Sequence, residues 1–295
     1  MRDANEMTRC YLDKILIEER LIDAVECDIT FYIWGNTFST PITTPAFSHL
    51  GVYGEGRDNG LVEYSKAMKK INAMNFVGMG DNDKIEPVLK ACEGTVRIIK
   101  PYADRDKIFS QIDHAKANGA LAVGIDIDHI FGMDGKADVC VGELMAPQSK
   151  EYIKEYVDYA GIPFVIKGVL SITDAIKAAE CGARGIVVSH HHGRMPYAIP
   201  PLMVLPKIKE ALGAYPDVKI FVDCHMDTGA DAFKTLALGA DAVSVGRVIL
   251  PALEKDGVQG VIDYIENMNA ELKTIMNFTG SANLSMIDSS MLWNV

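Results

Sequence analysis

The chain has 295 residues, 48% of them hydrophobic, and a formal net charge of -11. That length excludes a small sandwich or bundle and fits one large α/β barrel or two ordinary domains. The acidic balance leaves no basic face for a phosphate backbone, so nucleic acid is not an expected partner. No stretch holds the eighteen or so uninterrupted apolar residues of a membrane span. Met1-Arg-Asp-Ala-Asn-Glu lacks the basic-then-apolar layout of a signal peptide, and a cytoplasmic protein is expected. Cys10, Cys27, Cys92, Cys140, Cys181 and Cys224 are scattered without a Cys-x-x-Cys pair and read as reduced, mostly buried thiols.

In chain order, Leu12, Ile15, Leu16 and Leu21 recur at helical spacing and predict a helix over Thr8–Ala24. Two β-rich runs then flank Gly35-Asn36, a hairpin signal. A rhythm follows. Apolar runs fall at Pro41–Pro45, Asn75–Met79, Val96–Lys100, Leu121–Asp126, Pro163–Lys167, Gly185–Ser189, Lys219–Asp223 and Asp241–Gly246. Amphipathic stretches of helical length separate them, at Leu61–Ile71, Lys84–Cys92, Asp106–Asn118, Ser149–Ala160, Thr173–Cys181, Leu202–Leu212 and Gly229–Leu238, with a final one over Val258–Phe278. Parallel strands need crossovers that helices supply, and eight such units make a (β/α)8 TIM barrel. Asn118-Gly-Ala, Cys181-Gly-Ala and Leu238-Gly-Ala each place a glycine where a helix closes in the left-handed conformation before a strand. No compositional break marks a linker, so residues 1–295 read as one barrel domain with a short N-terminal helix and hairpin.

The active site of such a barrel lies at the C-terminal ends of its strands. Six of the eight runs end in polar or ionisable residues, among them Lys100, Asp126, Lys167, Ser189 and Asp223. Lys167 is either an anion partner or a paired strand end. Asp126 either orients a histidine or caps the next helix. Gly246-Arg247 follows the eighth run, where barrels commonly bind phosphate. His190, His191 and His192 project in different directions, so one is expected to face the pocket. Shared with Cys224 or His225, one of them could instead hold zinc or iron.

Ile166-Lys-Gly-Val, Gly182-Ala-Arg-Gly-Ile-Val-Val-Ser-His-His-His-Gly-Arg and Leu236-Ala-Leu-Gly-Ala-Asp-Ala-Val-Ser-Val-Gly-Arg resemble strands five, six and eight of the FMN-dependent α-hydroxy acid dehydrogenase/oxidase family, the group of glycolate and lactate oxidase. The resemblance runs from about Arg20 to Asp288. It implies FMN as cofactor, His191 as base paired with Asp126, and Arg194 on the substrate carboxylate. It also implies Lys167 beside the flavin, with Gly246 and Arg247 on the phosphate. Pro45, Ala46, Phe47, Gly78, Ser189, Asp223, Cys224, His225, Met226 and Asp227 are implied as further cofactor contacts, and a homotetramer as the assembly.

The sequence departs from the family pattern in several places. Ile98 stands for a glutamine, Lys100 for a substrate tyrosine, Gly124 for a threonine and Met133 for a second carboxylate-binding arginine. Cys224 and His225 replace two glycines, Asp227 the phosphate arginine, and His192 a glycine close to the flavin. Lys100 is expected to supply the charge that Met133 does not. The leading expectation is therefore a flavoprotein that oxidises a small 2-hydroxy acid or related hydroxy compound by hydride transfer, with metal not required. The rivals are a metal-dependent lyase or hydrolase built on His190, His192 and His225, and a non-redox relative that binds a phosphorylated ligand.

Overall fold

The computed structural model describes residues 3–294, so the first two residues of the N-terminal stretch lie outside it. All eight expected runs are strands of one parallel sheet: β1 (Ile42–Thr43), β2 (Asn75–Val77), β3 (Thr95–Ile99), β4 (Ala122–Asp126), β5 (Phe164–Val169), β6 (Gly185–Val188), β7 (Lys219–Val222) and β8 (Ala242–Ser244). They pair in sequence order from β2 round to β8 and on to β1. A parallel bridge between Phe47 and Val77 brings the two edges together, which gives a nearly closed barrel. Both faces of each strand are buried, which is why they read as continuous apolar runs.

The helices are α1 (Ala4–Asp13), α2 (Gly60–Ile71), α3 (Asn82–Ala91), α4 (Arg105–Ala117), α5 (Lys150–Ala160), α6 (Ile172–Glu180), α7 (Pro201–Ala211), α8 (Gly229–Ala237) and α9 (Leu250–Phe278). Each of α2–α9 follows a barrel strand. Gly119, Gly182 and Gly239 are left-handed, as the three Gly-Ala signals require (φ 74°, 87° and 112°). Among the described residues no helix is long and apolar enough to cross a membrane.

Three expectations shift. The N-terminal helix ends at Asp13, because Ile15–Ile17 pair antiparallel with Leu292–Asn294. The β-branched Ile15 and Ile17 suit a strand there, and helical spacing concealed it. The hairpin joins Phe31–Ile33 to Asn36–Phe38, and its turn is Trp34-Gly35, one residue earlier than expected. Both turn residues have positive φ (46° and 76°), the geometry that matches strand twist in a two-residue hairpin. The last helix begins at Leu250, and Gly257 breaks it with φ 59°.

Two cores result. One lies between barrel and helices. The other fills the barrel: Phe76, Val96, Ile98, Val165, Val187 and Phe221 pack with Phe31, Ile33 and Phe38 of the hairpin. The hairpin therefore plugs the N-terminal end of the barrel, with Trp34 donating to the Arg184 carbonyl that precedes β6. The opposite end is left for the site.

Candidate active site

At the C-terminal end of the strands an open cavity holds about 700 Å³ of empty space, its mouth included. Its lining includes Pro45, Ala46 and Phe47 after β1, Lys167 on β5, His191 and His192 after β6, Asp223, Cys224, His225 and Asp227 after β7, and Gly246 and Arg247 after β8. Gly78 does not line it. A Cβ there would lie 2.4 Å from Ser48 Oγ and 2.6 Å from the Ala46 carbonyl, so only glycine lets β2 approach and support the Pro45–Phe47 strip. Ser189 and Met226 also stand outside the lining. Ser189 Oγ accepts from the His191 amide (3.0 Å), and Met226 is fully buried, its carbonyl accepting from the Gly246 amide.

His191 is the focus of a buried charge network. Its Nδ1 lies 2.7 Å from Asp128 Oδ1, 3.4 Å from Asp126 Oδ2 and 3.4 Å from Lys167 Nζ. The short contact is the hydrogen bond, so Asp128, which sequence reasoning missed, holds the ring more directly than Asp126. With Nδ1 held, Nε2 is the nitrogen left for proton transfer. Burial and Lys167 favour neutral His191, but Asp126 and Asp128 outweigh them and raise its pKa. Burial and the charge of Asp126 lift Asp128 to about 6. Asp126, fully buried, would be raised by burial, yet Lys167, His191 and Lys100 hold it well below the usual carboxylate range. Lys167 would be driven neutral by burial, but Asp126, Asp223 and Asp128 keep it charged.

The two expected substrate cations are already engaged. Lys100 Nζ pairs with Asp126 at 2.6 Å, and both are buried. Arg194 Nη2 donates to Asp138 Oδ2 (2.6 Å) and to the Phe131 carbonyl (2.9 Å), while Nη1 meets His129 Nε2 at 2.9 Å. His129 Nδ1 lies 2.9 Å from the same Asp138 oxygen. Since Nε2 accepts from Arg194, Nδ1 carries the proton, and it lies beside that carboxylate without a hydrogen bond to it. Burial, Lys100 and Arg194 lower the His129 pKa to about 4, consistent with that neutral form. Asp138 comes from the loop after β4 and was not singled out in the sequence.

The three histidines separate cleanly. His190 is buried, and its Nδ1 accepts from the Gly193 amide while Nε2 meets Thr8 Oγ1 of α1 at 2.8 Å. Thr8 passes its own proton to the Ala4 carbonyl, so His190 is a fully satisfied anchor for α1. His192 stacks on His225, with ring centroids 6.4 Å apart. The Cys224 thiol is held protonated by burial and by Asp223. Among the described residues the group with metal-ligand spacing is Asp126, Asp128 and His191, not the histidine cluster, and Lys100 and Lys167 already neutralise it.

His191, His192, Cys224 and His225 all have positive φ (48°, 57°, 73° and 61°). Non-glycine residues held there cost about 1 kcal/mol or more each, and such strain gathers at functional sites. Helix α1 helps to hold it. Asn5 Nδ2 donates to the His192 carbonyl (3.2 Å), and Arg9 reaches the His225 carbonyl (3.4 Å) while pairing with Asp231 at 2.8 and 2.9 Å.

A buried ammonium at the cavity floor, an arginine at its rim and an apolar strip between them suit a flat anionic aromatic cofactor, so the residues present fit FMN. A family model described as FMN-dependent dehydrogenase matches residues 4–150 and 132–294. The chain belongs to this family, and it is an FMN-dependent oxidoreductase. It is similar to 2-hydroxyacid oxidase 1 of Mus musculus, with 39% identity over 317 aligned positions covering 94% of this chain and 84% of the relative. A 2-hydroxyacid oxidase of Dictyostelium discoideum is 25% identical, covering 95% and 79%. An L-lactate oxidase of Lentilactobacillus hilgardii is also 25% identical, covering 88% and 79%. A crystal structure of mandelate oxidase with 3,3-difluoro-2-hydroxy-3-phenylpropionic acid superposes with a TM-score of 0.83 at 22% identity, covering 99% of this chain and 90% of the other, and supports the barrel fold.

Proposed function

We propose that this chain oxidises a small 2-hydroxy acid, or a related hydroxy compound, with His191 as the base. The observation that carries the reading is His191 lining the flavin-family cavity with Nδ1 fixed by Asp128 and a charged Lys167 beside it. FMN, when bound, supplies the two-electron acceptor. Lys167, with Pro45, Ala46 and Phe47, would lie against its ring, and Asp223, Gly246 and Arg247 would hold the remainder. His191 Nε2 takes the hydroxyl proton of the substrate, and the two carboxylates steady the imidazolium that forms. The names of the relatives support a hydroxy acid as substrate. Anaerobic mixing of the flavin-loaded protein with lactate, mandelate and longer 2-hydroxy acids tests this. One of them is expected to bleach the flavin absorbance, and no bleaching by any 2-hydroxy compound would reject the reading.

Asp128 acts in this reading as a positioning residue, because it holds the Nδ1 side of His191 and raises the His191 pKa. In Asp128→Asn the acid limb of the kcat/KM profile moves to lower pH, since a neutral partner no longer favours the imidazolium. A merely structural loss would lower the profile without moving it.

Arg194 is the group for the substrate carboxylate, and Asp138 occupies it in the free protein. A substrate carboxylate would take the place of Asp138 on Arg194 and His129. Asp138→Ala is therefore expected to lower KM for an acid substrate several-fold, with a smaller change in kcat. A raised KM would show instead that Asp138 holds Arg194 in place for the substrate.

A homotetramer and a cytoplasmic location belong to the same reading. The exposed apolar Leu21, Ile22 and Val25 support association, and free cysteines support a reducing compartment. Light scattering measures the first directly.

A further inference from the structure

A second cavity adjoins the first at the same end of the barrel. It holds about 1150 Å³ of empty space, its mouth included. Neighbouring residues divide the two: Lys167 and His191 line the first, while Gly168, Ser189 and His190 line the second. Its polar residues belong to the centre already described. Asp128 holds His191 Nδ1 at 2.7 Å, and Ser189 Oγ accepts from the His191 amide at 3.0 Å. Arg194 lines this second cavity and not the first.

Most of the remaining lining is apolar. Ile130, Phe131 and Met133 come from the loop after β4, Leu170 follows β5, and Met195 and Pro196 follow Arg194. Phe131, Met133 and Met195 are 51%, 72% and 60% exposed, so large apolar side chains gather where water would otherwise cover them. Their wall is pre-formed. Residues 130–138 fold back on themselves through an antiparallel bridge between Phe131 and Ala137. The Asp138 amide donates to the Ile130 carbonyl (3.0 Å) and the Gly132 amide to the Lys136 carbonyl (2.9 Å). An apolar wall with a few convergent polar groups is the usual make-up of a small-molecule pocket.

Base and arginine face different cavities, and this dictates how a substrate lies. Its hydroxyl meets His191 from the first cavity, and its carboxylate meets Arg194 in the second. One small molecule can reach both. The His129 ring lies 5.3 Å from that of His191, and its Nε2 lies 2.9 Å from Arg194 Nη1. The chain beyond the carboxylate-bearing carbon then runs along Phe131, Met133 and Met195. Glycolate or lactate would leave most of that space unfilled. Unbranched methionines adapt well to a flexible aliphatic chain.

We infer that the second cavity holds the aliphatic tail of the substrate, and that medium-chain 2-hydroxy acids such as 2-hydroxyoctanoate are the preferred class. The inference rests on the hydroxy acid reading and names which acids the same site selects.

Anaerobic reduction of the flavin-loaded protein by lactate, 2-hydroxyhexanoate and 2-hydroxyoctanoate tests it. The second-order rate constant is expected to rise about threefold per added methylene, or about a hundredfold from lactate to 2-hydroxyoctanoate. The near-isosteric double variant Met133→Gln/Met195→Gln is expected to lower that ratio about tenfold. Calorimetry supplies a readout that needs no turnover. Octanoate should bind the flavin-loaded protein about fiftyfold more tightly than butyrate, at one per chain, and the double variant should lose about tenfold of this preference. Lactate reducing the flavin as fast as 2-hydroxyoctanoate, or a ratio unchanged in the double variant, overturns the inference while the hydroxy acid reading stands. Failure of every 2-hydroxy acid to reduce the flavin overturns both.

Discussion

Replacing His191 with alanine is expected to lower the rate of flavin reduction by about 10²–10⁴, or roughly 3–5 kcal/mol of transition-state stabilisation. FMN affinity should change only a few-fold. The reason is positional. His191 lines the cavity, its Nδ1 is held at 2.7 Å by Asp128, and the opposite nitrogen is the uncommitted one. Two nearby histidines are committed elsewhere. His190 has both ring nitrogens engaged, and His129 is fixed between Arg194 and Asp138. Glutamine at this position should recover the packing but not the rate. Stopped-flow reduction under anaerobic conditions gives the number directly. A variant that retains more than a tenth of the rate would remove His191 from the role of base.

The second large effect is on stability. Lys100 and Asp126 form a buried pair at 2.6 Å, with side-chain exposures of 8% and 2%. Breaking such a pair from one side costs about 3–5 kcal/mol, because the remaining charge is left without its partner. Asp126→Asn should therefore lower the melting temperature of the flavin-free protein by about 6–10 °C at roughly 2 °C per kcal/mol. Lys100→Met should cost a similar amount, and the double variant about 1–3 kcal/mol less than the sum of the two. Additive losses would mean the pair is not coupled. The pH dependence has a definite sign. Asp126 is held well below the ordinary carboxylate range in the folded protein, so its contribution is complete above that range and disappears as pH falls through the native value. Thermal melts in the acidic range should lose this increment in the wild type and not in Asp126→Asn.

The barrel was readable in the sequence because strands buried on both faces cannot hide. Each is an apolar run, and six of eight announce their mouth end with a polar residue. His191, Lys167 and Asp126 were readable for the same reason, since each terminates or follows such a run. Asp128 was not, because an acid two residues beyond a strand looks like the start of a turn. Only the 2.7 Å contact across 63 residues shows its partner. Asp138 and Thr8 were hidden by distance along the chain, lying 56 residues from Arg194 and 182 from His190. The commitment of Arg194 and Lys100 to internal acids was hidden too. Sequence shows that a cation is present, while its partners are a matter of three-dimensional packing. The strand at Ile15–Ile17 was lost to helical spacing, since its pairing partner sits at the other end of the chain.

The hairpin that fills the N-terminal end of the barrel has a kinetic corollary. With Phe31, Ile33 and Phe38 wedged among Phe76 and Phe221, the N-terminal end of the barrel axis is packed shut, and access to the site is from the C-terminal end. On the proposed reaction, departing keto acid and arriving hydroxy acid would share that end of the barrel, and accumulated product would compete with substrate for it.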